Sequence, residues 1–316
     1  MAQSAAQFAS HIHKELGKVI VGQDGVIQQI ITVLLCRGHA LLEGVPGTAK
    51  TLAVKALART CDVAFHRVQC TPDLMPADIL GTNIFNLGSS SFALHRGPVF
   101  TDLLLVDEIN RMPPRTQAAL LECMEERQVT LDGTAYALSG RFTVFATQNP
   151  VEFEGTYPLP EAELDRFLLK INIHYPAPEQ EVEILNRYQN GFDARALDRL
   201  DITPVSSELF FEACRDVTAV RVESQLLSYM ATVARKTRDW PALSLGASPR
   251  ATVCLMLAAK ALAALDGRDY LLPDDVKTAA PSVLRHRLVV KPEADLEGIT
   301  PDSVITEILH GVEVPK

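Results

Sequence analysis

The sequence predicts an α/β domain built on a parallel sheet, followed by a helical domain. In the first half of the chain, short strand-like runs that are apolar at nearly every position alternate with amphipathic helical segments. Strands of this kind are buried on both faces, as in a parallel sheet covered by helices. After about residue 176 only helical segments follow. We therefore predict two domains, at residues 1–176 and 177–316.

The individual elements follow from the spacing of the apolar residues. In the first domain the predicted helices are 23–36, 50–60 and 115–127, and the predicted strands are 39–44, 63–69, 103–108, 143–149 and 167–173. In the second domain the predicted helices are 180–190, 206–216, 222–238, 249–266, 273–287 and 302–310.

Two segments interrupt the alternation of helices and strands. Asp132-Gly133 lies between two strand-like runs at 128–138, and Asp-Gly in this setting is a strong signal for a β-hairpin. The segment 72–99 is irregular, with Pro, Gly and a run of Ser, and we expect an insertion of short strands there.

Composition narrows the class of protein. A net charge of −9 argues against nonspecific binding to nucleic acid, which depends on Lys and Arg. The N-terminus lacks the basic and apolar regions of a signal peptide, and the apolar segment 251–266 is too short to span a bilayer. The 6 cysteines include no C-x-x-C pair, which favours reduced thiols. We expect a cytoplasmic protein without membrane insertion.

The stretch EGVPGTAKT, residues 43–51, predicts a phosphate-binding loop between a strand and a helix. Backbone N–H groups at such a helix start face the phosphates of a nucleotide, and the helix dipole adds to their effect. Lys50 would neutralise phosphate charge, and the Thr51 hydroxyl would bind Mg²⁺. The alternative is an ordinary strand-to-helix turn with a surface lysine.

One position of this loop departs from the pattern G-x-x-x-x-G-K-[ST], because Ala49 stands where the second glycine is required. We expect the glycines that bend the loop or approach phosphate to be Gly44 or Gly47, with a left-handed or otherwise special conformation at Gly47. Ala49 would then lie at the helix entry with a negative φ, where its methyl group favours the helix.

Polar residues end two further strands. LLLVDEIN places Asp107 and Glu108 at the carboxyl edge of the sheet, where parallel sheets bind ligands. Asp107 would hold Mg²⁺ through a coordinated water, and Glu108 would polarise the attacking water as general base. TVFATQNP brings Asn149 to the same edge, where it could orient that water or contact the γ-phosphate. The alternatives are a solvated acidic strand end and a turn asparagine before proline.

Two arginines complete the candidate site. Arg166 precedes a strand and could reach a nucleotide held by a neighbouring subunit, where it would stabilise charge on the transferring phosphoryl group. Arg250 follows Ser248 as a helix N-cap and Pro249 at the first helical position. That placement would let Arg250 close over the γ-phosphate. A solvated or ion-paired side chain is the alternative for each arginine.

In this order the segments resemble an AAA+ ATPase, and several long strings are similar to the MoxR family. These strings include EGVPGTAKT, LLLVDEINRMPPRTQAALLECMEERQVTLDG, FATQNPVEFEGTYPLPEAELDRF and ASPRA. The similarity runs through residues 20–290. It implies an αβα core with a five-stranded parallel sheet in the order 5-1-4-3-2, followed by an all-helical lid. It also implies a ring, usually hexameric, with ATP bound between subunits.

The resemblance also assigns a role to each motif. Lys50 and Thr51 correspond to Walker A, Asp107 and Glu108 to Walker B, Asn149 to sensor 1, Arg166 to the arginine-finger candidate and Arg250 to sensor 2. The implied cofactors are ATP and Mg²⁺, with Thr51 and Asp107 at the metal. The implied nucleotide-binding residues are Val21, Gly22, Gln23, Gly44, Val45, Pro46, Gly47, Thr48, Ala49, Lys50, Thr51 and Leu52. Residues 79–99 correspond to the helix-2 insertion and 128–138 to the pre-sensor hairpin, and both would face the pore and could touch a substrate polypeptide.

The function implied by the resemblance is Mg²⁺-dependent ATP hydrolysis that remodels or activates partner protein complexes. The partner is often a protein with a von Willebrand factor A domain, which here would be a separate chain. The alternatives are the ATPase subunit of a magnesium-chelatase-like complex, a DNA-acting motor, and a module that holds nucleotide without hydrolysing it. Arg111 is either at the subunit interface or paired with a neighbouring carboxylate.

Overall fold

The computed structural model describes residues 2–86, 88, 90–150 and 155–315. The first half contains α1 (Gln3–Gly17), α2 (Asp24–Leu35), β1 (Ala40–Gly44), α3 (Lys50–Thr60), β2 (Phe65–Gln69), α4 (Pro76–Leu80), β3 (Gly81–Asn86), β4 (Ser91–Arg96), β5 (Leu103–Asp107), α5 (Pro114–Glu126), β6 (Gln128–Leu131), β7 (Thr134–Ala137), β8 (Thr143–Gln148), α6 (Glu161–Leu164) and β9 (Leu169–Ile173). The second half contains α7 (Pro178–Gln189), α8 (Ser207–Ala219), α9 (Ser224–Arg238), β10 (Leu243–Leu245), α10 (Pro249–Leu265), α11 (Pro273–Leu284), β11 (Val289–Val290), α12 (Pro292–Leu296) and α13 (Pro301–Gly311).

The central sheet has five strands in the order β2-β5-β8-β1-β9. Each strand runs parallel to its neighbours. Counting only these strands along the chain, the order read from β9 is 5-1-4-3-2, which confirms the prediction. Because side chains alternate between the faces of a strand, Leu104 and Leu105 enter two different apolar cores. The sheet is therefore buried on both sides, as its nearly continuous apolar strands predicted.

The two predicted insertions are antiparallel hairpins. β3 pairs with β4, and β6 pairs with β7 through a turn in which Asp132 (φ 50°) and Gly133 (φ 79°) are both left-handed. The hairpins touch each other, because Asn83 Nδ2 donates a hydrogen bond of 2.7 Å to Asp132 Oδ2. Two positions of the first insertion, Leu87 and Ser89, lie outside the described residues.

The second half is mainly helical, and helices begin close to the predicted positions. Ser206 and Ser248 act as N-caps, accepting hydrogen bonds from the backbone N–H of Leu209 and Ala251. The prediction of an all-helical segment misses one detail, because β10 and β11 form a small antiparallel sheet. Strands of two or three residues carry too little periodicity to be recognised in a sequence. The domain boundary near residue 176 stays a prediction.

The N-terminal helix packs against the second half of the chain. Phe8 of α1 is fully buried, with its ring centroid 5.8 Å from that of Phe210 in α8. The backbone N–H of Ala5 also donates to Asp216 Oδ2 at 3.1 Å. Helix α1 therefore joins the apolar core that α8 helps to form. No helix among the described residues is long and apolar enough to cross a membrane.

Replacing Phe8 with alanine tests the packing of α1 on α8. We expect Phe8→Ala to lower the free energy of unfolding by about 3–5 kcal/mol, because a buried aromatic ring leaves a cavity. Urea denaturation measures this loss. The exposed neighbour Gln7 provides the control, and Gln7→Ala should change stability by less than about 0.5 kcal/mol. Equal effects of the two substitutions would contradict the packing described here.

Candidate functional site

The loop between β1 and α3 has two left-handed residues. Gly47 has φ 84°, as expected, with open space around it. Ala49 has φ 63° and ψ 19°, so the prediction of a negative φ at this residue is wrong. Helix α3 begins at Lys50, which leaves Ala49 as its N-cap, and the Ala49 carbonyl accepts the first helical hydrogen bond from Ala53 at 2.9 Å. Left-handed residues in such loops turn successive N–H groups towards a common side, which creates a concave site for anions.

Gly44 has a different role from Gly47. A Cβ at Gly44 would lie 2.5 Å from the carbonyl oxygen of Ile173 in the adjacent strand β9. Glycine at this position therefore permits close pairing of β1 and β9. The loop that follows is held by the buried Thr48, whose hydroxyl donates to the Val45 carbonyl at 2.9 Å.

The two polar residues at the start of α3 point towards the end of the sheet. Lys50 Nζ donates to the carbonyl oxygens of Gly44 and Val45, the latter at 3.0 Å. Burial lowers the pKa of Lys50, and the carboxylates of Asp107 and Glu108 oppose that shift. A lysine partly removed from water gains more from an incoming phosphate than a fully hydrated one does.

The Asp107 carboxylate connects three strands and helix α3. Its Oδ1 accepts a hydrogen bond of 2.6 Å from Thr147 in β8, and its Oδ2 accepts one of 3.2 Å from Thr51. Arg67 of β2 donates to Oδ2 from Nη2 at 2.7 Å and from Nε at 3.1 Å. Sequence reasoning missed Arg67 and Thr147. Their signal was weak, since each is one of several polar residues in its strand-like run, with Arg67 beside His66 and Thr147 beside Gln148.

The Glu108 carboxylate lies beside Asp107 and has its own partners. Its Oε2 accepts a hydrogen bond of 3.0 Å from Gln69 Nε2 and lies 3.2 Å from Arg111 Nε. The Glu108 backbone is left-handed (φ 60°), and its N–H donates to the Thr147 hydroxyl at 2.9 Å. Of the two interpretations of Arg111, pairing with a neighbouring carboxylate is the one found within this chain. Gln69 was also missed. Its one sequence signal was its place at the end of the predicted strand 63–69, and the structure pairs it with Asp107.

A polar cleft of about 450 Å³ lies at this carboxyl edge of the sheet. It brings together the loop, the Asp107–Glu108 pair and Asn149, which is buried. Its lining residues are Pro46, Gly47, Thr48, Ala49, Lys50, Thr51, Leu52, Arg67, Gln69, Asp107, Glu108, Thr147, Gln148, Asn149 and Tyr188.

A smaller, mainly apolar pocket of about 150 Å³ adjoins the cleft on the other side of the loop. Its lining residues are Val19, Ile20, Val21, Gln23, Gly47, Thr48, Ala49, Leu52, Pro176, Ile184, Arg187, Tyr188 and Phe192. The predicted Val21 and Gln23 line it, and Gly22 lies between them with φ 66°. The α7 contributions were missed, because nothing in the sequence indicates that a helix beyond the first domain returns to the loop. An apolar pocket next to an anion site suits a nucleotide.

The residues present fit a bound Mg²⁺. This ion prefers oxygen ligands and is commonly held by one or two carboxylates together with substrate phosphates. Asp107 and the Thr51 hydroxyl supply such oxygens side by side. Among the described residues, no group of three or more His, Cys, Asp or Glu side chains could hold a metal by itself. The remaining ligands would therefore be phosphate oxygens and water.

Arg166 and Arg250 both contact Glu125. Arg166 Nη1 is 3.3 Å from Glu125 Oε2, and Arg250 Nη2 donates to Glu125 Oε1. Neither arginine is among the described lining residues of the cleft. Their roles at a nucleotide stay predictions, and the position of Arg250 gives no support for its closing over a phosphate bound to its own chain.

Comparisons with known proteins agree with this arrangement. Residues 39–169 match the family described as "ATPase family associated with various cellular activities (AAA)", and residues 235–308 match the AAA lid domain. The fold is similar to the crystal structure of a protein from Cytophaga hutchinsonii that is proposed to be an ATPase. The TM-score is 0.89 and the identity 41%, over 99% of this chain and 98% of that one. Fold and site thus define an AAA ATPase with a helical lid.

Two relatives are similar over nearly the whole chain. Chaperone MoxR1 of Mycobacterium tuberculosis is 43% identical in an alignment of 319 positions that covers 96% of this chain and 81% of the relative. Protein MoxR of Methylorubrum extorquens is 32% identical in an alignment of 335 positions that covers 97% of this chain and 95% of the relative. The chain belongs to the MoxR family of AAA ATPases.

The left-handed Ala49 makes a prediction about stability. Ala49→Gly removes about 1–2 kcal/mol of left-handed strain, while the added freedom of the unfolded chain offsets about 0.4–1 kcal/mol. We expect the free energy of unfolding to stay equal or to rise slightly in urea denaturation. The control Ala53→Gly, inside α3, should lower it by about 1 kcal/mol or more. A loss at Ala49 as large as that at Ala53 would show that Ala49 is not left-handed.

Proposed function

We propose that this AAA ATPase hydrolyses ATP with Mg²⁺ between the subunits of a hexameric ring and uses the energy to remodel or activate partner protein complexes in the cytoplasm. The observation that carries the ATPase chemistry is the arrangement of Lys50, Thr51, Asp107 and Glu108 around one cleft. A phosphate-binding loop, a metal-binding carboxylate and a general base are the parts that phosphoryl transfer to water requires.

Binding uses the two pockets on either side of the loop. The adenine would enter the apolar pocket at Val21, and the phosphates would face the loop N–H groups in the polar cleft. Lys50 would exchange the carbonyls of Gly44 and Val45 for phosphate oxygens. Bound Mg²⁺ would supply charge neutralisation at the β- and γ-phosphates, with Thr51 and Asp107 as the protein groups that hold it. Arg67 would give up its hydrogen bonds to Asp107 Oδ2 when that oxygen holds the metal or its water.

Hydrolysis requires a water activated next to the γ-phosphorus. Glu108 would accept the proton of this water as its oxygen attacks, while the bond between the γ-phosphorus and the bridging oxygen breaks and leaves ADP and phosphate. Asn149, at the same edge, would orient the water. Arg166 would come from the neighbouring subunit to stabilise the charge on the transferring group. Gln69 and Arg111 hold the Glu108 carboxylate before it engages the water.

The proposed remodelling of partner proteins is supported by a relative's name and by an exposed hairpin. A relative 43% identical over its matched region is named a chaperone. The β3–β4 hairpin exposes Phe85 and Phe92, whose rings are in edge contact with centroids 5.2 Å apart. Exposed aromatic rings on a hairpin are suited to hold an unfolded or loosely folded polypeptide. A separate protein with a von Willebrand factor A domain is the partner that family resemblance favours.

Two substitutions test the catalytic assignment. Glu108→Gln should bind ATP normally but lower kcat by about 100-fold or more, because the general base is lost while the loop is intact. Lys50→Ala should weaken ATP binding itself. Steady-state phosphate release and equilibrium binding of a fluorescent ATP analogue distinguish the two effects. Chelation of Mg²⁺ should abolish turnover of the wild type, and undiminished turnover by Glu108→Gln would reject the assignment.

The same variant tests the proposed partners. Glu108→Gln holds ATP without turnover, so a ring in this state should retain its client in a pull-down with ATP. The Lys50→Ala protein serves as the control that cannot reach the ATP state. We expect a protein enriched by Glu108→Gln alone. Recovery of nucleic acid in place of protein would replace the chaperone hypothesis with a DNA-acting motor.

A further inference from the structure

One carboxylate at the end of α5 joins an arginine of the core to an arginine of the lid. Glu125 Oε2 lies 3.3 Å from Arg166 Nη1, and Glu125 Oε1 accepts a hydrogen bond from Arg250 Nη2. Each carboxylate oxygen therefore has its own guanidinium. Without the carboxylate, two positive charges this close would repel each other. Glu125 thus keeps the two arginines side by side.

The backbone segments that carry these arginines are also tied together. Asp165, the residue before Arg166, accepts hydrogen bonds from Ser248 Oγ at 3.1 Å (to Oδ1) and 2.9 Å (to Oδ2). Ser248 is the N-cap of α10 and lies two residues before Arg250. The Arg287 side chain, 4% exposed, donates from Nε to Asp165 Oδ1 at 2.6 Å. The core segment and the lid helix are therefore fixed to each other next to Glu125.

The arginine pair is accessible from outside the chain. The side chains of Arg166 and Arg250 are 30% and 45% exposed, and that of Glu125 is 34% exposed. Neither arginine lines the nucleotide cleft of its own chain. Paired guanidinium groups match the oxygens of a phosphate in charge and geometry. The anion that this pair can serve is therefore one that another molecule presents.

We propose that Glu125 is a positioning residue, which aligns Arg166 and Arg250 as a two-arginine site for the terminal phosphate of ATP bound to an adjacent copy of this chain. The proposal rests on the proposed ATPase function. Glu125 does not touch the phosphate. It limits the orientations of both guanidinium groups, so that they meet the transferring phosphoryl group without reorganisation.

The substitution Glu125→Gln keeps the shape of the side chain and removes its charge. An amide offers one oxygen and one NH₂ group, so it can accept from one arginine but repels the other. We expect kcat for ATP hydrolysis to fall about tenfold, equivalent to about 1.4 kcal/mol in the activation free energy. The Kd for ATP should stay within about twofold, because Glu125 does not line the cleft. The control Glu126→Gln removes the same charge from the same helix and should leave both constants unchanged.

A mixing experiment separates positioning for a neighbour from a structural role within one subunit. Glu108→Gln subunits have intact arginines, while Glu125→Gln subunits have an intact Glu108. In a mixed ring, some nucleotide sites combine the intact Glu108 of a Glu125→Gln subunit with the intact arginines of a neighbouring Glu108→Gln subunit. We expect the hydrolysis rate per Glu125→Gln subunit to rise when Glu108→Gln subunits are added. An effect confined to the folding of its own lid would not be relieved in this way, even if Glu125→Gln lowers the melting temperature.

The mixture of Arg166→Ala with Glu108→Gln is the reference. If this reference recovers activity and the Glu125→Gln mixture does not, Glu125 has no positioning role and the inference is overturned. If the reference itself fails to recover activity, Arg166 does not act across subunits, and that part of the proposed function is rejected first. An unchanged kcat in Glu125→Gln alone would also overturn the inference.

Discussion

The hydrogen bonds to the Asp107 carboxylate hold the site together. This group stands at the end of β5 and receives donors from Arg67 on β2, Thr147 on β8 and Thr51 on α3. A buried charge is stable only when such donors compensate for lost hydration. Because β5 lies between β2 and β8 in the sheet, the strand order itself places these donors around one carboxylate. The Asp107 carboxylate, the Thr51 hydroxyl and the end of β5 that precedes Glu108 are therefore held next to one another.

The loop between β1 and α3 keeps a left-handed backbone at a position where the sequence motif requires glycine and this chain has alanine. The pattern places glycine before the lysine, and this chain has Ala49 in a left-handed conformation. Alanine can adopt that conformation at a cost of about 1–2 kcal/mol, which the surrounding structure must offset. Gly44 is required for another reason, close contact with β9. A residue other than glycine at this motif position is therefore compatible with the left-handed backbone that the loop needs.

The second half of the chain contacts the first half at two separate places. Helix α7 brings Tyr188 to both pockets beside the loop. At the second place, Ser248 and Arg287 donate hydrogen bonds to Asp165. Arg250 and Arg166 both contact the Glu125 carboxylate there. This half of the chain therefore contacts both the pockets beside the loop and the arginine pair.

The sequence alone determined the alternation of strands and helices, the hairpin at 128–138, the presence of short strands within 72–99, and the positions of the glycine-rich loop and of the Asp107–Glu108 pair. These features are local, since they depend on periodicity, turn residues and spacing along the chain. The tertiary structure alone decided that Arg67, Gln69 and Thr147 serve the carboxylates, that α7 lines the apolar pocket, and that Arg166 and Arg250 meet at Glu125. Those residues are far apart in the sequence, and only strand order and lid packing bring them within hydrogen-bonding distance. The left-handed conformation of Ala49 was also not predicted from the sequence. The preference of alanine for helical angles is weak, and the geometry of the loop overrides it.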